Sequence, residues 1–188
     1  ADGEVLAAGD VLARGYRGDA APLTDEAGWF HTGDLGALDE AGYLTITGRK
    51  KDLIVTAGGK NVAPARLEDR LGAHPLIAHG IVVGDQRPFV AALVEIDEEA
   101  WPRWLSAHGK PADSPVAVLR DDPELVAEVQ RAVDDANRVV SRAEAIRAFR
   151  ILPRALSTAR GELTPTMKVR RAVVQREYAD EIDAIYRR

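Results

Sequence analysis

Gly48-Arg49-Lys50-Lys51-Asp52-Leu53-Ile54-Val55 is the stretch that divides this chain. Arg49 to Asp52 are consecutive charged residues between a strand-like run that ends at Thr47 and the apolar triplet Leu53-Ile54-Val55, and a glycine pair, Gly58-Gly59, follows. A charged break between two apolar strands is where a domain boundary fits. The reading gives a β-rich tail of one domain over residues 1–50 and a separate domain over residues 51–188.

Upstream of the break, Glu4 to Ala8 and Val11 to Tyr16 are short strand-like runs interrupted by Gly and Asp. Leu38 to Thr47 predicts a turn entering a strand with alternating faces. Downstream, Pro64 suits the first turn of a helix that carries Leu67 and Leu71 on one face and stops near Gly72. Residues 77–84 and 89–96 predict a hairpin, joined by the turn Asp85-Gln86-Arg87-Pro88. Two helical stretches are expected at 98–107 and 123–145, a returning strand at 149–152, a polar loop at 158–166 and a final amphipathic helix at 170–186. No internal repeat is evident. Strands before helices, without a regular βαβ rhythm, predict the α+β class, a small mixed sheet with packed helices.

The 188 residues are 46% hydrophobic, enough for one domain plus a fragment of another. A net charge of −5 argues against a general nucleic-acid binder. Neither a membrane-spanning run nor a secretory signal is read, so a cytoplasmic protein is expected, with peripheral membrane contact left open. Zero cysteine removes disulfides and thiolate chemistry, and the four histidines are too scattered for a zinc motif, so no metal site is expected in this chain.

Two segments and a third distant one carry a resemblance. They are Gly28-Trp29-Phe30-His31-Thr32-Gly33-Asp34-Leu35-Gly36, then Gly48 to Ile54 running on through Gly58-Gly59-Lys60-Asn61-Val62-Ala63-Pro64, and Leu163-Thr164-Pro165-Thr166-Met167-Lys168-Val169-Arg170-Arg171. In this order and separation they resemble the adenylate-forming superfamily of acyl-CoA synthetases, luciferases and peptide-synthetase adenylation domains. The helical stretch between Asp97 and Arg150 and the wording Thr-Pro-Thr-x-Lys look like the long-chain fatty acid–CoA ligase branch.

The resemblance implies a two-step reaction in which a fatty acid attacks the α-phosphate of ATP, and the thiol of coenzyme A then displaces AMP. It implies a large N-terminal domain that holds ATP, Mg²⁺ and acid, and a small C-terminal cap that swings across it. The Ser/Thr/Gly-rich phosphate loop and the aromatic-Gly-x-Thr-Glu motif of that large domain are absent from this sequence, so the polypeptide as given is expected not to turn over. Related readings are a fatty acyl-AMP ligase that serves a carrier protein, or a non-catalytic interaction module of the same fold.

Carried over residue by residue, the resemblance assigns Asp34 to the ribose hydroxyls, a task suited to a group that only accepts hydrogen bonds. Arg49 falls where relatives contact the nucleotide, and its planar fork suits phosphate or ribose oxygens. Lys51 falls at the hinge, by position in the motif and not by lysine chemistry. Gly58 and Gly59 would line the channel for the pantetheine arm, although a plain hairpin turn accounts for them equally, and Lys60 would meet a CoA phosphate unless it is simply solvated. Lys168 is the expected catalytic residue, a point charge bridging the carboxylate and the α-phosphate; it is one of five lysines beside twenty arginines. Many members carry a basic residue just after Asp-Leu-Ile, where this chain has Val55, so no lysine there is assigned to the thioester step.

Overall fold

A computed structural model describes residues 3–18 and 21–187. Ala1, Asp2 and Arg188, at the ends of the two expected domain ranges, and Asp19 and Ala20 lie outside the described residues. The chain divides into two units, residues 1–53 and 54–188.

The first unit is an antiparallel sheet of three strands in the order β1-β2-β3: β1 Glu4–Ala7, β2 Phe30–Leu38 and β3 Leu44–Arg49. The run expected at Val11 to Tyr16 forms no strand. It is a series of turns and bends with Leu12 N–H donating to Gly9 C=O at 3.2 Å, and Val11 and Tyr16 are largely exposed. A run with strand composition needs a neighbour to pair with, and the described residues supply none there.

The connections reveal a short repeat that the sequence reading missed: Asp-Glu-Ala-Gly-aromatic occurs at 25–29 and again at 39–43. Both copies fold alike. Asp25 Oδ1 accepts the N–H groups of Ala27 (3.0 Å) and Trp29 (2.9 Å), and Asp39 Oδ1 those of Ala41 and Tyr43 (both 2.9 Å). Each aspartate thus closes a turn by replacing backbone carbonyls with its own side chain, which launches β2 from the first copy and β3 from the second.

The second unit opens with a two-stranded hairpin, β4 Ile54–Val55 and β5 Asn61–Val62, and α1 Pro64–Gly72, where Pro64, Leu67 and Leu71 are buried. Strands β6 Ile77–Val83 and β7 Val90–Ile96 pair antiparallel as expected. The returning strand, β8 Ile146–Ile151, begins three residues earlier than predicted and runs parallel to β7, so the sheet is mixed with β7 at its centre. A parallel neighbour needs a long crossover. Residues 97–145 provide it with α2 Trp101–Ala107, α3 Val116–Leu119 and α4 Pro123–Asn137.

Every residue of β7 is buried, and its alternation builds two cores. Val90, Ala92, Val94 and Ile96 face α1, α2 and α4 through Leu67, Leu71, Trp104, Leu125 and Val129. Ala91 and Leu93 face Leu152, Leu163, Val174 and Ile182 on the other side. The α+β class with packed helices is therefore what the chain adopts.

Two helices differ from expectation. Helix α4, capped by the Asp122 side chain on Glu124 N–H and Leu125 N–H, ends at Asn137 and not near Ala145. Asn137 explains why: its amide donates to Ile146 C=O at 2.9 Å and accepts from Ile146 N–H at 2.8 Å, pairing with β8 as another strand would. The last helix is two, α5 Arg171–Glu177 and α6 Ala179–Tyr186, joined at Tyr178, whose ring is buried with the Arg154 guanidinium 5.4 Å from its centre.

At Val82 the free edge of β6 is met by side chains. Glu68 on α1 accepts Val82 N–H at 2.8 Å, Arg171 Nη1 on α5 donates to Val82 C=O at 2.7 Å, and Arg171 Nη2 meets both Glu68 carboxylate oxygens at 2.6 and 2.7 Å. Glu68→Ala strands both the guanidinium and the backbone N–H, so we expect a loss of about 2–3 kcal/mol, read as a lower denaturant midpoint with an unchanged slope. No helix among the described residues is long and apolar enough to cross a membrane.

Candidate functional site

In the first unit the Thr-Gly-Asp motif is not a turn but a bulge inside β2. Glu4 pairs with Leu35 while Leu6 pairs with His31, so residues 32–34 are accommodated opposite Val5 alone. Gly33 makes this bulge feasible with φ +71, a left-handed value that a side chain would strain. Thr32 Oγ1 donates to Val5 C=O (2.7 Å) and accepts Asp34 N–H (3.0 Å), while Glu4 Oε1 accepts Gly33 N–H (3.1 Å). The Glu4 carboxylate also meets His31 (3.1 Å) and Lys50 (2.9 Å) and is only 7% exposed. The His31 hydrogen bond, then the Lys50 ammonium, hold Glu4 below the usual carboxylate range, and Glu4 and Asp25 in turn hold the His31 imidazole above its ordinary value.

The consequence of this bracing is a fixed Asp34. It lies directly across from Arg49 in the β2–β3 ladder, and Arg49 Nε sits 2.8 Å from Asp34 Oδ1. Thr32, Gly33, Arg49, Lys50 and Lys51 line an open cavity of about 370 Å³ beside the pair. Three positions that the sequence places in two separate motifs, 34, 49 and 51, therefore belong to one local surface. Lys50 to Asp52 form a single 3₁₀ turn with no buried residue.

In the second unit, Gly58 and Gly59 form the tip of the β4–β5 hairpin, with Gly59 at φ +76 and its N–H donating to Thr56 C=O at 2.8 Å. A side chain built on Gly59 would meet nothing within 4 Å, so its own fold asks for glycine only through the backbone angle there. Lys60 lies 3.5 Å from Glu144.

Lys168 stands on a separate hairpin. Leu163 and Val169 bridge antiparallel, Thr164 N–H donates to Lys168 C=O at 2.8 Å, Lys168 N–H donates to Thr164 Oγ1 at 3.0 Å, and Met167 takes φ +61 at the tip. The side chain of Lys168 is exposed, and among the described residues its ammonium has no ion pair or hydrogen bond. Beneath the tip two carboxylates are buried. Glu162 is 1% exposed and Glu95 4%. Glu95 accepts Leu156 N–H at 2.9 Å and pairs with His79 at 2.7 Å.

That Glu95 contact, outweighing partial burial, raises His79 above its ordinary value, with further help from the Met167 carbonyl. The pairing therefore stabilises the fold fully below the unfolded value of about 6.5, and this contribution is lost as pH rises through the higher folded value. An NMR titration of the His79 imidazole should give a midpoint above 6.5, and a midpoint at or below it would contradict the pairing.

The structure thus gathers Asp34, Arg49 and Lys51 in one unit, and carries Gly58, Gly59, Lys60 and Lys168 on two hairpins of the other. Sequence reasoning missed Glu4, His79, Glu95 and Glu162, which touch these positions or their supports. Only their contacts distinguish them, with Glu4, Glu95 and Glu162 holding nearly buried carboxylates, and neither contact nor burial is visible in a single sequence. Among the described residues no group of three His, Asp or Glu side chains could hold a metal ion.

A mixed sheet packed on both faces by helices, preceded in sequence by a small β unit and carrying a lysine-bearing hairpin just before its last two helices, is the architecture of the small C-terminal domain of adenylate-forming enzymes. The chain belongs to the AMP-binding enzyme C-terminal domain family, whose model matches residues 51–188. It is 56% identical over 187 residues to the long-chain-fatty-acid–CoA ligase FadD15 of Mycobacterium tuberculosis, covering 98% of this chain and 31% of that protein. It is 35% identical over 204 residues to the long-chain-fatty-acid–CoA ligase ACSBG2 of Gallus gallus, covering 98% of this chain and 27% of that one. Among solved structures it resembles the A domain of the carboxylic acid reductase from Segniliparus rugosus in complex with AMP and a co-purified carboxylic acid. The TM-score is 0.64 at 25% identity, over 87% of this chain and 24% of that one. The chain spans about a third of the length of the curated relatives it matches.

Proposed function

We propose that this chain is the C-terminal part of a ligase that activates a long-chain fatty acid with ATP and passes it to coenzyme A. Identity of 56% to FadD15 supports the substrate class. The observation that carries the mechanism is the unpaired ammonium of Lys168 at the end of a braced, exposed hairpin. An amine with no internal partner is available to an anionic centre built elsewhere in the polypeptide.

In the first step a carboxylate oxygen of the fatty acid attacks the α-phosphorus, and the bond from that phosphorus to pyrophosphate breaks. Lys168 lies between the incoming carboxylate and the α-phosphate and offsets the charge gathered there. Asp34 accepts both ribose hydroxyls and Arg49 donates to the nucleotide, the cavity of about 370 Å³ beside them taking part of its body. In the second step the CoA thiol attacks the acyl carbon and AMP leaves. For this step Gly58 and Gly59 line the pantetheine channel and Lys60 meets a CoA phosphate. Residues 51–188 form the mobile cap, with Lys51 at the pivot, and residues 1–50 belong to the N-terminal domain that is its partner. The exposed 3₁₀ turn at Lys50–Asp52 supports this, since no side chain there must leave a core for the backbone to rotate.

The test uses the full-length protein. Fatty acid should drive exchange of labelled pyrophosphate into ATP, and CoA should convert the product into acyl-CoA with release of AMP. No exchange with any long-chain fatty acid would end the reading, and exchange without acyl-CoA would shift it to a carrier-protein acceptor. Asp34→Ala should raise the KM for ATP by about tenfold or more, the loss of charge-assisted hydrogen bonds worth roughly 1.5–3 kcal/mol.

A further inference from the structure

Glu162 immediately precedes the hairpin that carries Lys168, and nothing in the proposed chemistry uses it. Its carboxylate is 1% exposed. Arg154 Nη1 reaches it at 2.9 and 3.0 Å, Arg160 Nε at 2.9 Å and Ser157 N–H at 3.0 Å. Burial alone pushes such a group up, yet Arg154, Ser157 and Arg160 more than offset it and hold Glu162 below the usual carboxylate range.

The backbone of the same residue is equally committed. Glu162 N–H donates to Ser157 C=O at 3.0 Å, and Glu162 C=O accepts Arg170 N–H at 2.7 Å. Residues 162 and 170 flank the Leu163–Val169 bridge, so one residue fixes both legs of the hairpin. The partners extend the anchor into the body of the domain: Arg160 Nη2 donates to Ala155 C=O at 2.6 Å, and Arg154 lies over the buried ring of Tyr178.

A buried charged cluster stabilises a fold no better than apolar packing of the same volume, whereas it admits few alternative geometries. Above this cluster sits a tip with no internal support for its ammonium. We propose that Glu162 is a positioning residue for Lys168, its buried carboxylate locking the two legs of the hairpin in register so that the exposed amine reaches one place. This rests on the reading that Lys168 acts in adenylate formation. A displacement of about 1 Å at a reacting group costs roughly a hundredfold in rate, which sets the size of the effect.

The experiment has two arms. In the 188-residue chain, Glu162→Gln should raise hydrogen exchange at the Thr164, Met167 and Arg170 amides, while the amide of Val129 in α4 keeps its protection. In the full-length ligase, Glu162→Gln should lower kcat for adenylation by about a hundredfold with little change in the KM for ATP or fatty acid. The rate of thioester formation from preformed acyl-adenylate should be retained. Combined with Lys168→Ala, Glu162→Gln should cause no further loss, because the two act through one amine.

Should Glu162→Gln fail to fold, Arg160→Ala removes one donor to the carboxylate, together with the hydrogen bond to Ala155 C=O, from a half-exposed position and should reproduce the pattern more weakly. Unchanged exchange at the three amides overturns the proposal. So does an equal loss in both half-reactions, or a loss that adds to that of Lys168→Ala, either of which marks a purely structural role. Full adenylation by Lys168→Ala alone is a separate result: it removes Lys168 from the mechanism, and the exchange arm then still decides whether Glu162 holds the hairpin.

Discussion

Lys168→Ala in the full-length ligase should lower the rate of fatty-acid-dependent pyrophosphate exchange by about 10²- to 10³-fold, the loss typical of removing one preorganised donor from a developing anion. The size of the effect follows from two features. The ammonium has no partner within the described residues, so deleting it disrupts no internal network and the fold should be unaffected. The hairpin beneath it is held by the Leu163–Val169 bridge and by three hydrogen bonds between Thr164, Met167 and Lys168, so the charge is delivered and not merely tethered. Lys168→Arg should recover only part of the rate, because a broad planar fork does not occupy the place of a compact point charge. Exchange at the parental rate in a folded Lys168→Ala protein would refute the assignment.

Leu93→Ala should cost about 2–5 kcal/mol of stability. Leu93 is fully buried on the central strand β7 and belongs to the core formed with Leu152, Val174 and Ile182. Strands β6 and β8 flank it on both sides and α5 and α6 cover it, so the vacated space has little freedom to collapse. Leu163, at the foot of the Lys168 hairpin, lies in the same cluster. Equilibrium denaturation should show a reduced midpoint at unchanged slope, and a loss below about 1 kcal/mol would mean that this core can repack, the behaviour expected only of sites that collapse readily.

What the sequence made legible was local. The runs at 77–84 and 89–96 are apolar, β-branched and separated by turn residues, and they became β6 and β7. Pro64, Leu67, Leu71 and Gly72 specified α1 within a residue at each end. What failed needed a distant partner. The end of α4 is decided by Asn137 pairing with Ile146, nine residues on, and the parallel seating of β8 by a crossover of some fifty residues. Val11 to Tyr16 have the composition of a strand but no neighbour among the described residues.

The site divides the same way. Motifs named Asp34, Arg49 and Lys168, but only strand pairing makes Asp34 and Arg49 cross-strand neighbours in contact. Glu4 and Glu162 carry no local mark, because a glutamate buried among cations has the same letter as one in water.

The clip that Glu68 and Arg171 place on Val82 also bears on how this polypeptide behaves in company. An unsatisfied strand margin is a template on which a second molecule can lay its own backbone. At Val82 that margin is already occupied, by two groups that lie fourteen residues before it and eighty-nine after it. Loss of either group would therefore, besides weakening the fold, leave a backbone pair on which molecules in concentrated solution can swap or stack strands.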